Sequence, residues 1–73
     1  MPLNLAEFNK NYQIVKVCGL EEQKHYLESM GFVQDSEVQI LTEVMGYYVV
    51  LIKGSKVGLE KSLAQRIIVR EVM

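Results

Sequence analysis

At 73 residues the chain has the length of one domain, residues 1–73. A chain of this size buries only roughly 60% of its unfolded surface, which excludes a large catalytic cavity. Hydrophobic residues make up 49% and charged residues 23%, so the chain is globular rather than disordered, and a formal net charge of -1 gives no global attraction to nucleic acid.

In chain order, Leu5 and Phe8 stand at helical spacing and predict a turn of helix over Leu3 to Phe8, placed to cover one end of the core. Asn9-Lys10-Asn11 reads as a turn. Tyr12 to Val17 is rich in β-branched and aromatic residues and predicts the first strand, with a bulge where Ile14-Val15-Lys16-Val17 breaks alternation. After Cys18-Gly19, the spacing of Leu20, Leu27 and Met30 predicts a short amphipathic helix with those three on the buried face. Glu21 and Glu22 suit its first turn, where carboxylates meet free N–H groups, and Gly31 suits its end, where a left-handed residue redirects the chain.

Val38, Ile40, Thr42 and Val44 then alternate with Glu37, Gln39, Leu41 and Glu43 in the pattern of a half-buried second strand, with Leu41 as an apolar residue in the outward set. Met45-Gly46 marks a tight turn. Tyr47 to Ile52 is apolar on both faces, so the third strand is either covered twice or presents an apolar outer face. Lys53-Gly54-Ser55-Lys56 predicts a hairpin turn of type II′ with Gly54 first. A short strand at Val57 to Leu59, a helical turn within Lys61 to Arg66 with Ala64 packed beneath it, and a last strand at Ile67 to Val72 complete the chain. The fold class is therefore mainly β with one short α-helix. Five short strands joined by tight turns make a small, closed, strongly bent barrel the economical architecture, since closure removes exposed strand edges.

Leu27-x-x-Met30-Gly31-Phe32, then Val38-x-Ile40, then Tyr48-Val49-Val50-Leu51-Ile52-Lys53-Gly54, then Gly58-Leu59 followed by Ala64, Ile67 and Val69, resembles the ferrous iron transport protein A (FeoA) family over nearly the whole chain. The resemblance implies an SH3-like small β-barrel of about five strands in the cytoplasm of a prokaryote. It further implies an accessory protein of ferrous iron uptake that binds and modulates FeoB, a membrane transporter with a cytoplasmic GTP-binding domain. The same module is similar to the C-terminal domain of metal-dependent repressors, which leaves a metal-responsive regulatory domain as the alternative. Three positions depart from the family pattern. Gln34-Asp35 stands where Pro-Gly is common, and Asp tolerates a left-handed backbone. Asn9 and Asn11 stand in for glycine near the first strand. Gly58 to Glu60 replaces the more usual alanine, leucine and arginine.

Candidate chemistry is sparse. Cys18 and His25 are weak candidates for a transition metal ion, because a tight site needs three or four ligands; the structural reading is a partly buried thiol and a helix histidine beside Glu21. Met30, Met45 and Met73 read as gap fillers rather than soft ligands. No nucleophile has a general base beside it in sequence, and no phosphate-binding glycine loop is present, so neither an enzyme nor a bound cofactor is expected. Lys53, Lys56, Lys61, Arg66 and Arg70 read as a solvated rim mixed with Glu60 and Glu71, not as a nucleic-acid strip.

A single cysteine excludes an internal disulfide, as suits a reducing compartment such as the cytoplasm. No export signal or apolar run of roughly 18 residues is present, so a membrane is reached only through the transporter, by a monomer or weak homo-oligomer. If Val49 and Leu51 point inward, then Tyr48, Val50 and Ile52 point outward beside Leu41. Tyr26 on the helix, Leu41 and Tyr48 are accordingly the expected partner-binding residues, unless Leu3, Leu5 and Phe8 cover the patch.

Overall fold

Each strand coincides with a stretch whose side chains alternate between a dry and a wet face: β1 (Tyr12–Val17), β2 (Glu37–Val44), β3 (Tyr47–Ile52), β4 (Ser55–Glu60) and β5 (Ile67–Glu71). Helix α1 (Glu21–Ser29) joins β1 to β2, the single-turn α2 (Lys61–Ala64) joins β4 to β5, and a 3₁₀ turn at Leu3–Leu5 precedes β1. The computed structural model describes residues 1–72; Met73 lies outside them. Its strands form one antiparallel sheet in the order β4-β3-β2-β1-β5.

The sheet is bent but not closed, which corrects the expected barrel closure. The chain leaves β4 through α2 rather than through a hairpin, so β4 and β5 remain its two margins. Bending comes from interruptions of register between Ile14 and Lys16 in β1 and between Ile40 and Thr42 in β2, where an extra residue increases local twist. The second of these explains the anomalous Leu41, which is the unpaired bulge residue.

The inner face holds the core. Tyr12, Ile14, Val38, Ile40, Tyr48, Val50, Ile52, Leu59, Ile67 and Val69 are buried there, joined by Leu27 and Phe32 and closed at the ends by Leu3, Ala6 and Ala64. Among the described residues no polar or charged one is buried with them, so the core is held by apolar burial, at roughly 1.5–3 kcal/mol for each large side chain removed from water.

Helix α1 delivers less to this core than its spacing predicts. Leu27 is its one buried residue, Met30 is half-buried at its end, and Leu20 is 73% exposed. Leu20 has an extended backbone (φ -69°, ψ 153°) as the N-cap, so its side chain leaves the helical face. The C-terminus follows expectation. Gly31 has φ +102°, its N–H donates to Glu28 O (3.0 Å), and the Phe32 N–H donates to Leu27 O (3.1 Å). That paired arrangement satisfies the last helical carbonyls and turns the chain so that Phe32 enters the core.

The hairpins correct one expectation. Ile52 pairs with Ser55, leaving Lys53 (φ 50°) and Gly54 (φ 79°) as the two turn residues; Met45 (φ 49°) and Gly46 (φ 84°) repeat the arrangement. Two consecutive positive φ values define a type I′ turn, not type II′, with glycine second. Asp35 (φ 72°) and Asn9 (φ 60°) occupy left-handed positions as expected, and Asn11 does not.

Candidate protein-interaction surface

The register of β3 decides which side chains face solvent. Tyr48, Val50 and Ile52 are buried (5%, 0% and 1% exposed), and Tyr47, Val49 and Leu51 line the outer face. This reverses the expected direction of the strand. Because β3 is apolar on both faces, its own pattern is silent; β4 carries the signal. Val57 and Leu59 alternate there with Lys56, Gly58 and Glu60, and the two-residue turn pairs Val57 with Val50 and Leu59 with Tyr48. The apolar face of β4 therefore places Tyr48 and Val50 inside.

Tyr48 is consequently a capped core residue, which corrects its assignment as a partner-binding side chain. Phe8 packs edge-on against its ring (centroids 6.0 Å apart, planes at 87°), and its hydroxyl donates to Asn4 O at 3.5 Å. The Lys61 ammonium lies 5.7 Å from the ring centroid and 2.7 Å from Glu43 Oε2. Its hydrogen bond to Glu43 raises the Lys61 pKa above the ordinary lysine value of 10.5, Coulomb attraction to the same carboxylate adding to the effect. Leu3, Ala6 and Phe8 supply the N-terminal cover, and Leu5 remains 67% exposed.

The outer stripe of Tyr47, Val49 and Leu51 is flanked on β2 by Val44, Thr42 and Gln39 and on β4 by Glu60, Gly58 and Lys56. Val44 and Tyr47 are about half exposed, and Met45 at the adjoining turn is 94% exposed. A Cβ added at Gly58 would meet nothing within 4 Å, so the stripe is open beside Val49. At the Leu51 end a cleft of about 300 Å³ is lined by Asn11, Glu37, Gln39, Leu51 and Lys53 among others. An apolar band rimmed by Lys, Glu and Gln has the composition of a protein contact surface: desolvation in the middle, orientation by charge at the border. Sequence reasoning missed Met45, Tyr47 and Gly58 here and set Val49 and Leu51, with Thr42 and Val44 on β2, on the inner face; the bulge at Leu41 is what turns Thr42 and Val44 outward.

The remaining predicted residues fall elsewhere. Leu41 is half-buried in the β2 bulge, next to this stripe in sequence. Tyr26 is 53% exposed on α1, which packs on the core side through Leu27, so it does not join the outer stripe. Cys18 is half-buried and its backbone N–H donates to Arg66 O (2.7 Å); His25 is exposed with Nε2 3.6 Å from Glu21 Oε2. Among the described residues no group of three or more His, Cys, Asp or Glu side chains is placed to hold a metal ion. Met30 fills a gap beside the core, whereas Met45 does not. Of the basic residues, Lys61 pairs with Glu43, Lys10 with Glu71 (2.7 Å) and Glu7 (3.4 Å), and Arg70 Nε donates to Gln13 Oε1 (3.1 Å). No helix among the described residues is long and apolar enough to cross a membrane.

Comparison with known proteins places this architecture. A search of curated proteins returned no significant match. Among solved structures, an iron uptake regulatory protein (FeoA) superposes with a TM-score of 0.89 at 26% identity, over 99% of this chain and 97% of the other. The zinc-complexed FeoA of Stenotrophomonas maltophilia, described as an SH3 domain protein, superposes with a TM-score of 0.85 at 21% identity, over 96% and 89%. A manganese-dependent transcriptional repressor is similar in fold (TM-score 0.87, 23% identity) over 99% of this chain and 41% of its own length. The family model for the FeoA domain matches residues 1–71, and the chain therefore belongs to the FeoA domain family.

Proposed function

We propose that this protein is a non-enzymatic cytoplasmic accessory of ferrous iron uptake that modulates a FeoB-type transporter by docking on its cytoplasmic GTPase domain. Family membership supports the iron-uptake setting. The observation that carries the docking mode is the solvent-facing stripe of Tyr47, Val49 and Leu51 with Val44 and Leu41 beside it. Burying such a band against a partner gains apolar contact that solvent does not offer, and the flanking Lys56 and Glu60 orient the approach. Tyr26 belongs to a separate surface and contributes through a second contact or not at all. The likeness to the metal-dependent repressor supports a shared architecture only.

The test is a binding titration against the transporter's isolated GTPase domain, with nucleotide state varied. Tyr47→Glu and Val49→Lys each place a charge in the stripe on an already solvent-facing position, and each weakens binding at least about tenfold with the fold retained. Undiminished binding by both variants refutes the docking surface. Absence of binding by the unaltered protein in every nucleotide state refutes the partner.

A further inference from the structure

The chain treats the two margins of its sheet differently. Along β5 the N-terminal segment is laid down as cover: the Met1 nitrogen donates to Val69 O (2.8 Å), the Val69 N–H donates to Met1 O (2.7 Å), and Pro2 bridges Ile68. Along β4 the register leaves the opposite result. The two-residue turn pairs Ile52 with Ser55, so Ser55, Val57 and Leu59 exchange hydrogen bonds with β3, and Lys56, Gly58 and Glu60 direct their backbone groups outward. All three residues are exposed, and among the described residues no hydrogen bond outside the helices and strands reaches their backbone; Glu60, the N-cap of α2, gives its carbonyl to that helix and keeps its N–H free.

An open edge is normally blunted by charge, and Lys56 alone would serve that purpose. Set against a second β4, however, the same charges become complementary. The geometry points to self-association of two copies by antiparallel pairing of β4 with β4 about a two-fold axis at Gly58. In that register Gly58 lies opposite Gly58 and Lys56 lies opposite Glu60, once on each side of the axis. Each Gly58 exchanges its N–H and C=O with its counterpart, and each Glu60 N–H donates to the facing Lys56 carbonyl. On the inner face the half-buried Val57 comes beside Leu59 of the second copy. On the outer face the glycines place no side chain between the two Val49 rows, so the apolar stripes of both copies border one trough.

Charge selects this register over its neighbours. Centring the axis on Lys56 opposes two lysines, centring it on Glu60 opposes two glutamates, and parallel in-register pairing opposes like charges at both positions. The contact is short, so the dimer is weak and reversible.

Sedimentation velocity from about 10 µM to 1 mM covers the range expected of so small an interface. The unaltered chain is expected to pass reversibly from monomer to dimer. Lys56→Glu and Glu60→Lys each oppose like charges twice and weaken the dimer about tenfold or more. An equimolar mixture of these two variants restores it as a heterodimer, because every contact between positions 56 and 60 is then of opposite sign. Gly58→Pro removes an outward N–H that one copy does not use, and abolishes the dimer; the charge pair decides the matter if that variant fails to fold. A monomer at every concentration, a dimer indifferent to both charge reversals, or a mixture that does not restore association overturns the proposal.

Discussion

Replacing each of two adjacent tyrosines by alanine separates a core position from a surface position on one strand. Tyr48 is 5% exposed beneath Phe8 and Lys61, and Tyr47 is 48% exposed on the outer stripe. A buried aromatic side chain removes about 150–250 Å² from water, worth about 4–6 kcal/mol at 25 cal/mol per Å². Truncations of this kind cost about 3–5 kcal/mol in practice. A domain of this length has a total stability of roughly 4–11 kcal/mol, so Tyr48→Ala removes roughly a quarter or more of it and lowers Tm by roughly 12–40 °C. Tyr47→Ala loses about half that area and leaves no cavity, so about 2–3 kcal/mol is the most expected. Tyr48→Phe is nearly neutral, within about 1 kcal/mol, because the lost hydroxyl bond to Asn4 O is long at 3.5 Å. Urea unfolding followed by far-UV circular dichroism measures all three. A Tyr47→Ala loss equal to or larger than that of Tyr48→Ala would refute the strand direction and everything built on the outer stripe.

Gly31→Ala is expected to cost about 1–2 kcal/mol in the same assay, since φ +102° strains any side chain although the Cβ would meet Ile52 and Lys53 only at 3.6 Å. Met45→Asn is expected to stabilise, by up to about 1 kcal/mol, because Met45 is exposed at φ 49° in a turn that favours Asn-Gly; a loss of stability would contradict the type I′ assignment. The raised pKa of Lys61 gives a contribution that is fully present below its unfolded value of about 10.5 and is lost as pH rises through the higher folded value. The stability difference between the unaltered protein and Lys61→Met should therefore be constant near neutral pH and shrink only above about pH 10.5. Titration with zinc or ferrous ion, read by backbone NMR, should give no saturable shifts at Cys18 and His25, which lack a third ligand among the described residues.

Most elements were legible because their signals are local. β2 alternates as far as Ile40, beyond which the bulge turns Thr42 and Val44 outward rather than inward; Gly31 follows the last helical residue, and Asn9 and Asp35 are residue types that accept the left-handed backbone found there. The bulge in β1 and the unpaired Leu41 both announced themselves as breaks in a period-2 pattern. What failed was non-local. The direction of β3 depends on its partner, because six consecutive apolar residues carry no parity; only the turn length together with the alternation of β4 resolves it. The type of that turn is not legible locally either, glycine being acceptable at either central position. Barrel closure was inferred from a general cost of open edges, whereas here one margin is covered by Met1 and Pro2 and the other is left free. Spacing alone sets Leu20 on the helical face, although it stands one residue before the helix begins.

The docking account is tested most directly by backbone NMR of the labelled protein titrated with the transporter's GTPase domain. It predicts saturating shifts concentrated in Leu41, Val44, Tyr47, Val49 and Leu51, with the inner-face Tyr48 and Val50 shifting less. Shifts confined to α1 and the Cys18 loop, or none at saturating domain in any nucleotide state, would contradict it.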